Sequence, residues 1–357
     1  MLSQAQQSLK APQSGVFFPD ARGVGYYRFA LPKHAYEQIV AQIESALTPE
    51  ERISLLGDEW AGVRSNHDPV GDYLNLAAAV KDDQNAAVIA TATEPLSAIE
   101  SRIATTPEEK QAIAAWAVRT FKPAYQRLGA PAQTDTPDKK ELRAALFDVL
   151  GSIGRDPEVI AEARQITTRY LSDPSAGDAT LAQTAGAIAA ENGDAAFFDQ
   201  LQQIYETSNN PQIQESALRL LARFRNPELQ RRALAFAVSG KVRNQDSVLE
   251  MAIALRNPAT HDVAWDFLRN NWSDVQKQFT TMMGPYLVSA TGSFCTAHMR
   301  DEVLNFFTTH QVPASGRSLP RVKDNINACI ALRADQEPKL KEWVAGQQSQ
   351  PAQNGGQ

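Results

Sequence analysis

The sequence predicts an all-α protein, built as an α-solenoid of irregular helix pairs. Three observations carry this prediction: a two-helix unit recurs between residues 209 and 272, helix-start signals recur along the chain, and the connections between apolar segments are short. Two helices cannot bury their apolar faces alone, so units of this kind stack on their neighbours to complete a core.

The repeated unit is clearest in two copies that are 31 residues apart. Residues 225–227 and 256–258 both read Arg-Asn-Pro, and apolar helical segments precede and follow each of them. Proline fixes φ and lacks an N–H, so it suits the first helical turn, while the asparagine before it can cap. Each corner is therefore predicted to end one helix and to begin the next at the proline.

Weaker copies of the corner flank this pair. Asp156, Gly193, Asn226 and Asn257 mark corresponding corners, and the steps between them shorten from 37 to 33 to 31 residues. This period lies in or just below the range of helical repeat arrays, and its drift favours irregular HEAT- or armadillo-like pairs.

The chain divides into four predicted segments. Residues 1–15, rich in Gln, Ser and Ala, are predicted to be disordered. In residues 16–31, aromatic and β-branched residues flank a turn at residues 20–23, which predicts a short β-hairpin. An isolated hairpin is marginal in water, so these strands would need a sheet from elsewhere. Residues 32–346 form the predicted helical repeat domain, and residues 347–357 a disordered tail.

Helix starts within residues 32–346 are marked by local signals. Thr48 and Thr106 each open a Thr-Pro-Glu-Glu sequence, which combines a capping box with proline at the first helical position, and Thr136 precedes Pro137 in the same way. About seventeen helices are expected, and their short connections make sequential helices antiparallel.

Composition excludes several classes of partner and compartment. The 357 residues are 43% hydrophobic, and the net charge of −6 is spread along the chain without a Lys/Arg-rich run, which argues against nucleic acid. No apolar stretch is long enough to span a membrane, and no secretory signal opens the chain, which predicts a cytoplasmic protein as written. Cys295 and Cys329 fall in predicted helices and are expected to be buried, inert thiols.

No catalytic or metal-binding constellation is recognisable. The five histidines lack the HExxH spacing of a zinc site, and neither a nucleophile elbow nor a phosphate-binding loop occurs. Two places remain as candidates for facing a peptide or partner. One is the polar corner at residues 241–246, for which a solvated helix start with Asp246 in its first turn is the simpler explanation; its candidates are Arg243, Asn244, Gln245 and Asp246. The other is a groove lined by Tyr286 and Phe294, which is otherwise a broken helix in the core.

Several short motifs resemble, in order, the C-terminal helical domain of the aminopeptidase N / puromycin-sensitive aminopeptidase family of zinc metallopeptidases. The domain is of the type found in endoplasmic reticulum aminopeptidases. The motifs are Gly-Tyr-Tyr-Arg at 25–28, Leu-Leu-Gly-Asp at 55–58, Val-Arg-Asn-Gln-Asp at 242–246, Ala-Trp-Asp-Phe at 264–267 and Asn-Ile-Asn at 325–327.

The resemblance implies a non-catalytic chain. In this family the zinc and its ligands lie in a preceding catalytic domain, so no catalytic residue and no cofactor are expected here. The helical domain curves into a bowl that covers the active site and lines a peptide chamber. The predicted hairpin would be the remnant of a β-sandwich. The implied partners are peptides and a catalytic metallopeptidase domain, in the same or another chain, with interdomain contacts at Phe17, Phe18, Tyr26 and Tyr27.

Two other functions remain open from the sequence. A stand-alone HEAT-like scaffold would bind peptides or a protein without peptidase activity. An enzyme with a site that no motif reveals would show turnover without a partner.

Overall fold

The computed structural model describes residues 17–175, 177–280 and 283–349. These residues are helical and contain no β-strand, so the predicted all-α class is confirmed. The helices of the described residues are α1 (Lys33–Val40), α2 (Ile43–Ala46), α3 (Pro49–Arg64), α4 (Val70–Ala79), α5 (Ala86–Ala98), α6 (Pro107–Arg127), α7 (Pro137–Asp148), α8 (Pro157–Ser172), α9 (Ala179–Glu191), α10 (Ala195–Thr207), α11 (Pro211–Leu221), α12 (Pro227–Ala237), α13 (Asn244–Arg256), α14 (His261–Asn270), α15 (Trp272–Lys277), α16 (Met283–Ala290), α17 (Ala297–Thr309) and α18 (Ser318–Ser349).

The predicted helix starts are confirmed at the threonines. Thr48 and Thr106 form complete capping boxes with Glu51 and Glu109, and Thr136 accepts a hydrogen bond from the Lys139 N–H. In each case proline occupies the first turn, where its missing N–H costs no hydrogen bond.

The two Arg-Asn-Pro corners differ from each other in the structure. Asn226 caps α12, which begins at Pro227 as predicted. The second prediction is wrong, because α14 begins at His261 rather than at Pro258. The Asn257 side chain donates from Nδ2 to the carbonyl oxygen of Phe224, 3.0 Å away, and Pro258 falls in a turn. The asparagine therefore joins two corners instead of capping a helix.

The predicted hairpin is absent from the described residues. Residues 17–31 are irregular, with a 3-10 turn at Ala21–Gly23. Asp20 explains this, because its carbonyl accepts from the Gly23 N–H and its Oδ1 accepts from the Gly25 N–H at 2.7 Å. These local bonds use backbone groups that a strand pair would need.

The predicted disordered termini fall mostly outside the described residues. Residues 1–16 and 350–357 are not among them, so the prediction stays untested for most of both ends. The helical boundary at residue 346 is too early, because α18 continues to Ser349. A glycine inside a helix costs only about 1 kcal/mol, so Gly346 does not end α18.

Contacts between helices run along two series. In one series α5, α7, α9, α11, α13 and α16 each contact the next. Helices α6, α8, α10 and α12 contact the member of this series that follows them in the chain. The buried apolar side chains therefore extend from one helix pair to the next rather than gathering in a single centre.

Helix α18 contacts both ends of this series. It packs on α16 and α17, and also on α4, α6 and the π-helical turn Ile99–Ile103 that continues α5. Gln336 is fully buried: its Nε2 donates to the Asp68 carbonyl at 2.9 Å, and its Oε1 accepts from the Val70 N–H at 2.8 Å. A Cβ added at Gly71 would lie 2.8 Å from the Trp343 ring, so this glycine admits the indole.

Side chains also link the successive corners, and we call these links the corner belt. Arg155 pairs with Glu100 across the corners after α5 and α7. Arg225 donates from Nη2 to the Ser152 carbonyl at 3.2 Å and to Glu191 Oε2 at 2.8 Å, which joins the corners after α7, α9 and α11.

The corner belt continues to α18 and returns to its start. Asn257 reaches the corner after α11, as described above, and Ser293 Oγ donates to the Leu255 carbonyl at 2.9 Å. Arg333 on α18 donates from Nη1 to the Cys295 carbonyl at 3.2 Å and from Nε to the Arg102 carbonyl at 2.7 Å. Because Arg102 lies in the turn after α5, the belt is closed.

The prediction of inert thiols is wrong. Cys295 and Cys329 form a disulfide, with their Cα atoms 5.2 Å apart. Helix α17 reverses the chain between them, so the loop after α16 lies against α18. Both residues are buried as predicted.

Candidate functional site

Residues 17–31, here called the docking segment, are held on α3 by polar contacts. Ser54 Oγ donates to Asp20 Oδ2 at 2.9 Å, and the Arg22 N–H donates to Glu51 Oε1 at 2.9 Å. Asp20 is buried. The sequence predicts a turn that begins at Asp20, but it does not predict the contact of the Asp20 side chain with Ser54.

An ion pair joins two of the motifs that carry the resemblance. Arg28 Nη1 lies 2.6 Å from Asp58 Oδ1, and the Asp58 side chain is only 4% exposed. A Cβ at Gly57 would lie 3.2 Å from the same guanidinium nitrogen, so glycine leaves room for it. A buried carboxylate needs a partner, and Arg28 supplies it.

The aromatic side chains of the docking segment divide into two groups. Phe17, Tyr26 and Tyr27 are 52%, 106% and 54% exposed. Phe18 is half-buried, and its ring centroid lies 5.1 Å from that of Phe29, against the core. Three of the four predicted interdomain residues are therefore exposed on an anchored segment, and these three are here called the aromatic patch.

The polar corner before α13 is largely occupied by its own contacts. Arg243 Nε lies 2.7 Å from Asp246 Oδ2, and Asn244 Nδ2 donates to the Lys277 carbonyl at 3.2 Å. Gln245 is exposed. These bonds fit the start of a helix, and the outward faces of Arg243 and Gln245 remain accessible.

Tyr286 lies at the opposite end of α13. Its hydroxyl accepts from Arg256 Nη1 at 2.7 Å, and the Arg256 guanidinium lies 4.7 Å from the ring centroid. Ten residues of helix separate Asp246 from Arg256, or about 15 Å. The structure therefore does not bring Tyr286 together with the polar corner. Phe294 is fully buried, so it does not line a groove beside Tyr286.

A charged cluster at the ends of α7, α9 and α11 was missed by the sequence analysis. Burial raises the pKa of Glu191, which is paired with Arg225, and Arg223 opposes the rise. The Asp148 side chain is exposed, yet surrounding protein raises the pKa of its carboxyl. The charged residues just before each corner were the available signal.

A second group of carboxylates lies between α3 and α4. Burial, followed by repulsion from Asp68 and Asp72, raises the pKa of Glu59 to about 8. The Tyr36 hydroxyl donates to the Asp72 carbonyl at 3.3 Å, and burial raises the pKa of Tyr36 as well.

Replacing Glu59 by glutamine is expected to change the pH dependence of stability. From about pH 4.5 to pH 8 the folded state keeps a proton that the unfolded state releases, so the wild type loses stability relative to Glu59→Gln as pH rises. Urea unfolding of both proteins at pH 4.5, 6 and 8 measures the difference. The value at pH 4.5 is the reference, and a difference that stays constant up to pH 8 contradicts the expectation.

The described residues hold no group of three or more His, Cys, Asp or Glu side chains placed to bind a metal ion. Among their helices, none combines the length and the hydropathy that a bilayer crossing requires.

Comparison with known proteins agrees with these motifs. The model of the ERAP1-like C-terminal domain family matches residues 16–328, which is most of the chain. The chain belongs to the ERAP1-like C-terminal domain family. The Arg28–Asp58 pair and the docking segment both lie inside this ERAP1-like domain.

The relatives described next are aminopeptidases. The chain is 25% identical to aminopeptidase M1-A of Oryza sativa subsp. japonica, with 87% of this chain and 37% of the relative covered. It is 23% identical to mitochondrial aminopeptidase 2 of Saccharomyces cerevisiae (92% and 35% covered) and 22% identical to human endoplasmic reticulum aminopeptidase 2 (90% and 34%). The ERAP1-like chain thus spans about a third of the length of these relatives.

Proposed function

We propose that this chain is the non-catalytic C-terminal domain of an aminopeptidase N-type zinc metallopeptidase. The observation that carries the proposal is the family match over residues 16–328, combined with coverage of only about a third of each aminopeptidase relative. The catalytic domain, its zinc and its substrate-binding groups would lie outside these 357 residues. We therefore expect no peptidase turnover from the chain alone.

The docking segment is proposed to contact the preceding domain. Its backbone is fixed on α3 by Asp20, Arg22 and Arg28, so the aromatic patch is presented in one orientation. Exposed apolar patches on an ordered segment are typical of protein interfaces. The patch of Phe17, Tyr26 and Tyr27 would pack against a β-sandwich or the catalytic domain itself.

The helical part is proposed to be a curved α-solenoid that covers the active site. The helices of the series α5 to α16 contact their neighbours in turn, as stacked helix pairs do. The exposed but partly desolvated Asp148 supports a concave inner surface. Peptides would contact that surface, and the polar corner of Arg243, Asn244, Gln245 and Asp246, together with Tyr286, stays a predicted peptide- or partner-facing set.

The proposal is tested by isolating the chain from its native cells. Affinity capture with mass spectrometry should find either a polypeptide that carries HExxH, bound to this chain, or the chain itself inside a longer polypeptide. Recovery of the 357-residue chain alone contradicts the proposal.

A double substitution in the aromatic patch is expected to weaken the captured assembly. Phe17→Ser with Tyr26→Ser removes two exposed rings, and a buried aromatic contact at an interface contributes on the order of 1–3 kcal/mol. The Kd for the HExxH polypeptide should rise at least 10-fold, measured by titration of the purified components. The stability of the isolated chain should change little, because both rings are solvated.

Tyr170→Ser supplies the matched control. Tyr170 is half-buried on α8, away from the docking segment, and its loss should leave the Kd unchanged. Equal Kd values for the patch variant and the control contradict the role of the aromatic patch.

A second candidate function is a stand-alone scaffold that binds peptides or a protein without peptidase activity. The contacts of α18 with both ends of the helical series favour it, because they complete the core within this chain. A stable monomer that binds peptides in the absence of any HExxH polypeptide would support this function.

A further inference from the structure

The disulfide lies where the helical series closes. Cys329 is in the middle of α18, and Cys295 is in the loop between the 3-10 turn Thr291–Ser293 and α17. The bond therefore ties the closing helix to the last part of the series, at a separation of 34 residues along the chain.

One stripe of α18 carries most of the closing contacts described above. Buried or contacting residues recur at alternating spacings of four and three, which places them on a single helix face. They are Val322, Ile326, Cys329, Arg333, Gln336, Leu340 and Trp343. Val322 and Ile326 pack with the late helices, meaning the helices from α12 to α17. Gln336, Leu340 and Trp343 lie over the early helices α4 and α6. Cys329 is thus next to the point where the stripe passes from late helices to early ones.

Arg333 occupies that point, one turn after Cys329. Its guanidinium donates to the carbonyls of Ser101 and Arg102 in the early part, and to the carbonyl of Cys295 in the late part. Cys295 therefore makes two bonds to α18: its sulfur bonds to Cys329, and its carbonyl oxygen accepts a hydrogen bond from Arg333. A covalent bond at this place limits how far α18 can move from either side.

We propose that the Cys295–Cys329 disulfide is formed in the working protein and locks the closing helix, so that the chain folds in an oxidising compartment. Structural disulfides persist in such compartments and are rare in the reducing cytosol. The inference replaces the cytoplasmic expectation drawn from the sequence, and it does not depend on the proposed peptidase role.

The bond forms by thiol–disulfide exchange. The two thiols lose two protons and two electrons as one S–S bond forms, and a protein disulfide oxidant accepts both and becomes a dithiol. Both cysteines are less than 10% exposed after folding, which shields the bond from soluble reductants.

The redox state is read by alkylation of the full chain taken from its native cells. Cells are quenched in acid, and the protein is denatured and alkylated before and after reduction. Only two cysteines occur in the sequence, so the intact mass reports this pair alone. We expect no alkyl group before reduction and two after it. Two alkyl groups without reduction overturn the proposal.

The effect of the disulfide on α18 is tested by measuring thermal stability and amide hydrogen exchange. Wild type that is reduced while unfolded and refolded with a phosphine reductant should have a Tm about 5 °C or more below that of the oxidised protein. Amide exchange in α18 should accelerate at least 10-fold, whereas α8, remote from the bond, should not change. The Cys295→Ala/Cys329→Ala variant should match the reduced wild type and be insensitive to reductant. No change in Tm and α18 exchange on reduction contradicts the lock, and the wild-type comparison stands even if the variant fails to fold.

Discussion

Replacing Arg52 by methionine is expected to lower the free energy of unfolding by about 3–5 kcal/mol. Arg52 on α3 and Asp83 before α5 form an ion pair, with Nε 2.7 Å from Oδ2 and side chains only 9% and 3% exposed. Methionine keeps the apolar stem but leaves the Asp83 carboxylate buried without its cation. The Leu47 carbonyl also loses its hydrogen bond from Nη1, at 2.7 Å.

Arg219→Met is the matched control for this experiment. Arg219 pairs with Glu215 four residues earlier on α11, and both side chains are about half exposed. Exposed pairs of this kind contribute about 0.3–0.5 kcal/mol. Urea unfolding at neutral pH should separate the two variants clearly. Equal losses for Arg52→Met and Arg219→Met contradict the importance of burial.

Replacing Gln336 by leucine is expected to lower the free energy of unfolding by about 3 kcal/mol. Its amide donates to the carbonyls of Val63 and Asp68 and accepts from the Val70 N–H. Leucine fills similar volume but leaves these buried groups unpaired, and each unsatisfied group costs about 1–3 kcal/mol.

Lys341→Gln provides the control on the same helix, because Lys341 is exposed and surface substitutions usually change stability by less than about 0.5 kcal/mol. Urea unfolding measures the global loss. Hydrogen exchange should also show faster opening at the start of α4 in Gln336→Leu. A loss below about 1 kcal/mol, with unchanged exchange at Val70, contradicts the closing role assigned to Gln336.

Local structure was predictable wherever one short segment determines it. Thr48, Thr106 and Asn226 start helices as expected, because a cap involves only residues within about one turn. Asn257 has the same neighbours as Asn226, yet its amide bonds to Phe224 in the previous corner. The sequence near Asn257 contains no sign of that partner.

Features that depend on contacts between residues distant in the sequence were not predictable, because local patterns do not reveal such pairs. The hairpin prediction followed the residue types of the docking segment, but Asp20 and its contact with Ser54 determine the conformation. The closure by α18 and the disulfide depend on pairs that local patterns do not connect. Two cysteines among apolar residues of predicted helices suggested separate buried thiols, and only the reversal of the chain by α17 brings them together.

The candidate surfaces also divide into features that the sequence could predict and features that depend on the folded arrangement. The resemblance predicted interdomain contacts at Phe17, Phe18, Tyr26 and Tyr27, and all of these except Phe18 are exposed. Proximity in sequence could not show that Tyr286 and the polar corner lie at opposite ends of α13. Asp148 and Glu191 were missed because their common feature, a place beside a corner, emerges only when the helices are side by side.

The contact of Gln336 with the start of α4 has a consequence for synthesis on the ribosome. Val70 emerges 266 residues before the glutamine that accepts its N–H. At about 5–20 residues per second, the early helices wait roughly 10–50 s for their last partner. During that interval the apolar surface around Gly71 and Trp116, which Trp343 covers in the folded protein, is exposed, and chaperones bind exposed apolar surface of this kind. Helices α4 and α6 are thus among the first parts of this domain to be made and the last to be completed.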